Sequence, residues 1–292
     1  MNIQFIDRET GKLKIETPPG EGFLKLLYNN PFGKTMLIPL IKRKFLSSFY
    51  GRLMDKPGSS DRIKDFVKEL QIDMEEAEKS IEDYTSFNDF FYRKLKKEAR
   101  QIKEGLISPG DGKLLAFENI NQVHHFFIKG RKFNLKEFLS NEHLASKFQN
   151  CSLLILRLAP NDYHRYHFPY DGIPSTMTKI KGSYLSVSPY ALASNFTKVF
   201  CENKREYCIL KTETKGDILI APVGATMVGS ITETYTSDKE VKKGDEMGYF
   251  AFGGSTIVLL VEKNNFSIDE DLIKNTKNKI ETFVKMGDKI GM

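Results

Sequence analysis

Cysteine is scarce in this 292-residue chain, and Cys151, Cys201 and Cys208 form no CxxC pair. An odd, dispersed set excludes a disulfide framework and a cysteine zinc site, and fits a reducing compartment. Long apolar runs are missing too. The strongest, Met36-Leu-Ile-Pro-Leu-Ile41, is broken by Pro39 and is far shorter than the ~20 residues of a membrane span. The first ten residues include Asp7, Arg8 and Glu9 where a secretory signal needs an apolar core. There is no regular internal repeat, and the glycine-rich turns lack phosphate-loop spacing. These absences leave a folded protein that does not span a membrane by helix.

Acids are absent between Gly22 and Met54, a segment holding Lys25, Lys34, Lys42, Arg43, Lys44 and Arg52 among apolar residues. That pattern suits an interfacial helix facing anionic lipid. It equally suits a helical subdomain with a solvated basic face, since Pro31 and Pro39 interrupt any long helix. The chain as a whole carries a modest net +6 with 28% charged residues.

Further on, Ile63, Phe66, Val67 and Leu70 keep helical spacing, with Ser60 as the expected cap. Ser86 and Asp89 predict a capping box before the stripe Phe87, Phe90, Phe91 and Leu95. Beyond residue 105 short strands punctuated by glycine take over, the clearest over 151–158, 207–212, 217–222, 227–234, 247–252 and 256–262. The expected plan is α+β: a helical, basic, membrane-facing region over 1–84 packed on a β-rich body with glycine-turn hairpins over 85–292.

Gly254-Ser255-Thr256 opens the last apolar run. Two glycines before a hydroxyl residue can simply turn the chain into a strand. They also leave the Gly254 carbonyl unhindered, so the Ser255 hydroxyl could attack its own backbone and turn the amide into an ester. Elimination would leave dehydroalanine, whose hydrolysis gives a pyruvoyl group.

Two other clusters bear on that choice. Asp111 lies in Ser108-Pro-Gly-Asp-Gly-Lys-Leu114, where an aspartate before glycine can bond its own turn. His164 and His167 lie in Arg157-Leu-Ala-Pro-Asn-Asp-Tyr-His-Arg-Tyr-His-Phe-Pro169, as core residues or as site residues. No third Cys or His is spaced to complete a metal site, so no metal is expected. Asp, His and Ser are the parts of a nucleophile–base–orienter relay, whose chain order is free.

Taken in order, Ser86-Phe-Asn-Asp-Phe-Phe-Tyr-Arg93, Ser-Pro-Gly-Asp-Gly, Ile128-Lys-Gly130, Tyr-His-Arg-Tyr-His-Phe-Pro, Val-Gly-Ala-Thr-Met-Val-Gly-Ser-Ile and Gly-Gly-Ser-Thr resemble the pyruvoyl-dependent phosphatidylserine decarboxylases over residues 85 to 262. The resemblance implies that Ser255 cleaves the proenzyme at Gly254–Ser255 and becomes the covalent pyruvoyl cofactor, which takes the substrate amine as a Schiff base. It implies His167 as base of the self-cleavage relay, Asp111 as its orienting acid, and His164 as the histidine of decarboxylation. The implied product is phosphatidylethanolamine, made from phosphatidylserine in an anionic membrane surface on the cytoplasmic face of the cell membrane. The implied assembly is a heterodimer of residues 1–254 and 255–292, open to further pairing, with no nucleic-acid partner. One departure stands out: Gly253 occupies a position where the family often has leucine.

Other readings fare worse. A lysostaphin-type zinc peptidase needs a late His-x-His, and no histidine follows His167. A lipoyl-type carrier needs a lysine at its hairpin tip, which Ala225-Thr-Met-Val does not supply. A serine hydrolase using Ser255, His167 and Asp111 would lack the Gly-x-Ser-x-Gly elbow and would stay one chain. A non-catalytic lipid-binding protein leaves the Asp, His and Ser set unexplained.

Overall fold

Largely apolar runs become the middle of the structure. Ser152-Leu-Leu-Ile-Leu-Arg-Leu158 and Ser255-Thr-Ile-Val-Leu-Leu-Val261 lack the polar alternation of a half-solvated strand, and every residue of both is buried. The computed structural model describes residues 3–16, 51–123, 133–183, 185, 201–224, 230–251, 253 and 255–292.

The first strands are β1 (Ile3–Asp7), β2 (Leu13–Glu16), β3 (Leu106–Ile107), β4 (Gly112–Phe117) and β5 (Ser152–Leu158). There follow β6 (Arg165–His167), β7 (Ile173–Pro174), β8 (Thr178–Ile180), β9 (Arg205–Lys211) and β10 (Asp217–Gly224). The last are β11 (Ile231–Glu233), β12 (Glu246–Phe250), β13 (Ser255–Val261), β14 (Glu281–Val284) and β15 (Lys289–Gly291).

Among the described residues one sheet runs β2-β1-β14-β4-β5-β13-β10-β9-β7, with β8 also on β9. Only the β1–β14 pair in it is parallel. β13 lies in the middle, where Ser255 stands opposite Leu158 of β5 and Gly224 of β10. A smaller sheet, β11-β12-β6, brings His167 opposite Glu246. The main core gathers around these sheets. The architecture is α+β.

The helices Ile63–Leu70 and Phe87–Phe91 close a second, aromatic core with Met54 and Tyr84. Ser86 caps the second helix by accepting from Asp89 N at 3.1 Å, but the expected box is not closed, because the Asp89 carboxylate accepts from Thr85 N at 3.1 Å instead. That helix stops at Phe91, so Leu95 lies outside it. Ser60 does not cap the first helix. It sits inside a 3-10 turn, Pro57–Arg62, and bonds the Pro57 carbonyl instead. Its neighbour Ser59 is the buried serine, accepting from Phe87 N at 2.8 Å and so joining the two helical segments.

Residues 3–16 depart from the helical region expected over 1–84. They form the hairpin β1–β2, added in register to the main sheet. Tertiary pairing with β14 decides this conformation, and no local spacing announces it. Residues 22–50, with Lys42-Arg43-Lys44, lie outside the described residues, as do Ile128-Lys-Gly130, Ala225–Gly229, Phe252 and Gly254.

Arg157 of β5 fastens this hairpin beside the start of β13. Its guanidinium holds Glu16 of β2 at 3.0 and 2.6 Å and Glu281 of β14 at 2.9 and 2.6 Å. The side chain is 3% exposed, so removing one partner leaves buried charge uncompensated. Arg157→Leu should lose about 3–5 kcal/mol of stability. Urea unfolding measures this, and a loss below about 1 kcal/mol would mean the pair is effectively solvated.

Candidate active site

Three sequence-distant segments converge at the start of β13. Asp111 ends the tight turn before β4, His164 lies in the link from β5 to β6, and Ser255 opens β13. Ser255 and His164 are both fully buried, and Asp111 and His167 nearly so.

Ser255 Oγ lies 3.5 Å from His164 Nδ1. The tautomer follows from the other side of the ring. His164 Nε2 is 3.1 Å from the Ala159 carbonyl, which can only accept. Nε2 therefore carries the proton, and Nδ1 presents a lone pair to the serine hydroxyl. Burial first, and then the positive charge of Arg93, push the His164 pKa down to about 3, so the ring is neutral at ordinary pH. Phe91 stacks on it with ring centroids 4.0 Å apart. The result is a neutral base aimed at a hydroxyl.

The turn carrying His164 is fixed by a buried ion pair that sequence reasoning missed. Lys113 Nζ meets both oxygens of Asp162 at 3.0 Å, and Asp162 accepts from Ala159 N at 2.6 Å. Lys113 and Asp162 stand inside the motifs quoted for Asp111 and His164, but their pairing across 49 positions is tertiary information.

His167 is placed differently. Its Nδ1 is 2.9 Å from the Gly244 carbonyl, so Nδ1 donates there and Nε2 accepts from the Tyr163 hydroxyl at 3.1 Å. Burial lowers its pKa as well. Asp111 is gripped by Arg100 at 3.0 and 2.5 Å and accepts from Met286 N at 2.8 Å. Among the described residues no hydrogen bond joins Asp111 to His167, or His167 to Ser255. The turn of Asp111 and the strand of His167 are nonetheless adjacent, since His167 N donates to the Pro109 carbonyl at 2.7 Å. The structure thus brings together Ser255 and His164, with Asp111 and His167 in a neighbouring layer. No cluster of metal ligands occurs among the described residues.

Gly253 is buried and stands at φ +139°, a backbone that L side chains rarely adopt. A leucine there would require a different path into β13.

Residues 87–292 match the family described as phosphatidylserine decarboxylase. A phosphatidylserine decarboxylase proenzyme of Fusobacterium nucleatum subsp. nucleatum is 56% identical over 99% of this chain and 97% of its own length. The proenzymes of Clostridium tetani and Desulfitobacterium hafniense are 48% and 46% identical, each over 99% of this chain and 98% of their own. The chain belongs to the phosphatidylserine decarboxylase family and is an enzyme, a carboxy-lyase.

The depressed histidine carries a sign for stability. An unfolded histidine takes a proton as pH falls through 6.5, whereas folded His164 does not until about 3. Between those values the unfolded state binds more protons, so stability is lost as pH falls, by up to about 1.4 kcal/mol per pH unit for this group. His167 acts in the same direction. Urea midpoints of the Ser255→Ala protein should hold steady above pH 7 and drop from pH 6.5 to 5. His164→Asn should shallow that slope, and an unchanged slope would show that His164 is not buried neutral.

Proposed function

We propose that this carboxy-lyase cuts itself between Gly254 and Ser255 and then converts phosphatidylserine to phosphatidylethanolamine and carbon dioxide. The observation that carries the reading is the lone pair of His164 facing the buried Ser255 hydroxyl. The proenzyme names of the relatives point the same way.

In the first stage the Ser255 hydroxyl proton passes to a neutral imidazole as Oγ bonds to the Gly254 carbonyl carbon. The imidazolium returns its proton to the Gly254–Ser255 amide nitrogen, which leaves as a free amine, and an ester replaces the amide. Loss of the Ser255 α-proton then expels the Gly254 carboxylate and leaves dehydroalanine. Hydrolysis releases ammonia and yields a pyruvoyl group on residue 255. When in place, that group supplies the electron sink for the carbanion left by carbon dioxide. His164, whose Nδ1 lone pair faces residue 255, would first take a proton from the substrate ammonium and then return it to that carbon.

Family resemblance assigns the self-cleavage base to His167, with Asp111 as its orienting acid. The 3.5 Å contact favours a second reading, in which His164 serves both stages and the His167 layer supports the turn. Variants separate the two. Ser255→Ala should give one uncleaved, inactive chain. If His167 is the base, His167→Ala and Asp111→Asn should slow maturation, while His164→Ala still cleaves and decarboxylates poorly. If His164 serves both stages, His164→Ala should remain uncleaved.

Denaturing mass analysis of the unmodified protein should find a 38-residue piece beginning with a pyruvoyl group, resistant to Edman sequencing and reactive with carbonyl reagents. A single intact chain that still turns over esters would establish the hydrolase reading instead.

The substrate would be met at a membrane surface. Among the described residues no helix is long and apolar enough to cross a membrane. Lys42, Arg43 and Lys44 stand in an acid-free segment, and each cation near an anionic surface contributes about 1 kcal/mol. Neutralising all three should weaken vesicle binding by at most about 3 kcal/mol and leave maturation intact. Vesicle binding indifferent to both this change and high salt would remove the segment from membrane attachment.

A further inference from the structure

Asp111 is held by a residue outside every motif that marks the site. Arg100 follows the 3-10 turn Lys97–Ala99 and is buried. It lies side-on along the Asp111 carboxylate, with Nε on Oδ1 at 3.0 Å and Nη2 on Oδ2 at 2.5 Å. Nη2 also donates to Glu76 Oε2 at 2.8 Å, and Nη1 to the Ala99 carbonyl at 2.7 Å, so every nitrogen of the guanidinium is bonded. Met286 N adds a third donor to Asp111, on Oδ1 at 2.8 Å. An ionised carboxylate has about four acceptor positions, and these three donors leave one, on Oδ2.

The orientation of that carboxylate is set by its donors. Gly110 and Gly112 flank Asp111 and bring no side chain to brace it. What lies beside it gives the orientation a use. His167 N donates to the Pro109 carbonyl at 2.7 Å, which seats the strand of His167 against the Asp111 turn. Burial lowers the His167 pKa, while the Gly244 carbonyl, Glu246 and Asp111 act against it in that order. The Asp111 charge thus favours the imidazolium that His167 would become on taking the Ser255 proton. A carboxylate that swings by about 1 Å can cost such a proton transfer about a hundredfold in rate.

We propose that Arg100 is a positioning residue for self-cleavage, holding the Asp111 carboxylate in the orientation that the His167 relay uses. The proposal rests on the reading in which His167 is the self-cleavage base and Asp111 its orienting acid. Arg100 makes no hydrogen bond to His167 or Ser255 among the described residues, so it acts through Asp111. More than charge is involved. A guanidinium fixes both oxygens at once, whereas an ammonium is a point charge around which a carboxylate can pivot. Glu76 provides the comparison. It shares only Nη2 and is 28% exposed, so its loss leaves the side-on pair on Asp111 intact.

The test follows self-cleavage over time, by mass analysis, in full-length protein made by cell-free translation. Arg100→Gln should cleave at least about tenfold more slowly than the unmodified chain, and Arg100→Lys by an intermediate factor. Glu76→Gln should cleave at the unmodified rate. The double variant Arg100→Gln/Asp111→Asn should be no slower than Asp111→Asn and no faster than Arg100→Gln, because the two residues act as one unit. Its urea midpoint, read in the Ser255→Ala protein, should nevertheless exceed that of Arg100→Gln, since no buried carboxylate is left unpaired. A merely structural counter-ion predicts that cleavage recovers along with stability, and that recovery would overturn the proposal. So would losses that multiply in the double variant, or an unchanged rate in Arg100→Gln. If Arg100→Gln gives no folded protein, Arg100→Lys decides, and an unchanged rate in it overturns the proposal. Normal cleavage by Asp111→Asn would instead defeat the relay reading, and the role of Arg100 with it.

Discussion

The pairing of Lys113 with Asp162 aims everything at the site. Both side chains are buried, and a buried pair of this sort gains little net stability over apolar packing. Its value is positional. Asp162 also accepts from Ala159 N, which tightens the turn leaving β5 and presents the Ala159 carbonyl to His164 Nε2. That carbonyl fixes the tautomer, and the tautomer decides that a lone pair faces Ser255. An ion pair between β4 and the following turn of another strand thus sets the protonation of an atom it never touches.

Much of this was legible beforehand. The two runs around 152–158 and 255–261 are central strands because they are largely apolar and lack polar alternation, and the observed bounds lie within a residue or two of those expected. Ser255, Asp111 and the two histidines stand in motifs that mark them before any fold is known. What spacing could not resolve is which histidine meets the serine. His164 and His167 are three apart, which on a helix would give one shared face. Here the chain passes from an irregular turn into β6, so the rings take separate layers. Periodicity holds no information about such a link.

The other misses share a cause. β1 exists because β14, whose paired residues lie 276 positions later, offers it a parallel edge. Leu13 and Ile15 of β2 are exposed, so the hairpin shows none of the buried alternation that identifies strands. Arg93 was visible as the last residue of a quoted motif, yet only coordinates reveal that its Nε and Nη1 are buried without hydrogen-bond partners. Gly253 is a gentler case. A glycine in place of leucine reads as a local departure, and the positive φ there shows the entry to β13 built around it.

The position of residue 255 at the head of a central strand has a consequence for the life history of the molecule. A cut there would leave β13 between β5 and β10, β14 between β1 and β4, and β15 on β3. The short piece would be woven through two sheets of the long one, and the pair could part only by dismantling the core. Before cleavage, assembly of that core is a unimolecular event. Afterwards, any complete unfolding would release two strangers whose reunion depends on concentration. Such a protein folds once, as a precursor, and thereafter owes its persistence to the slowness of unfolding.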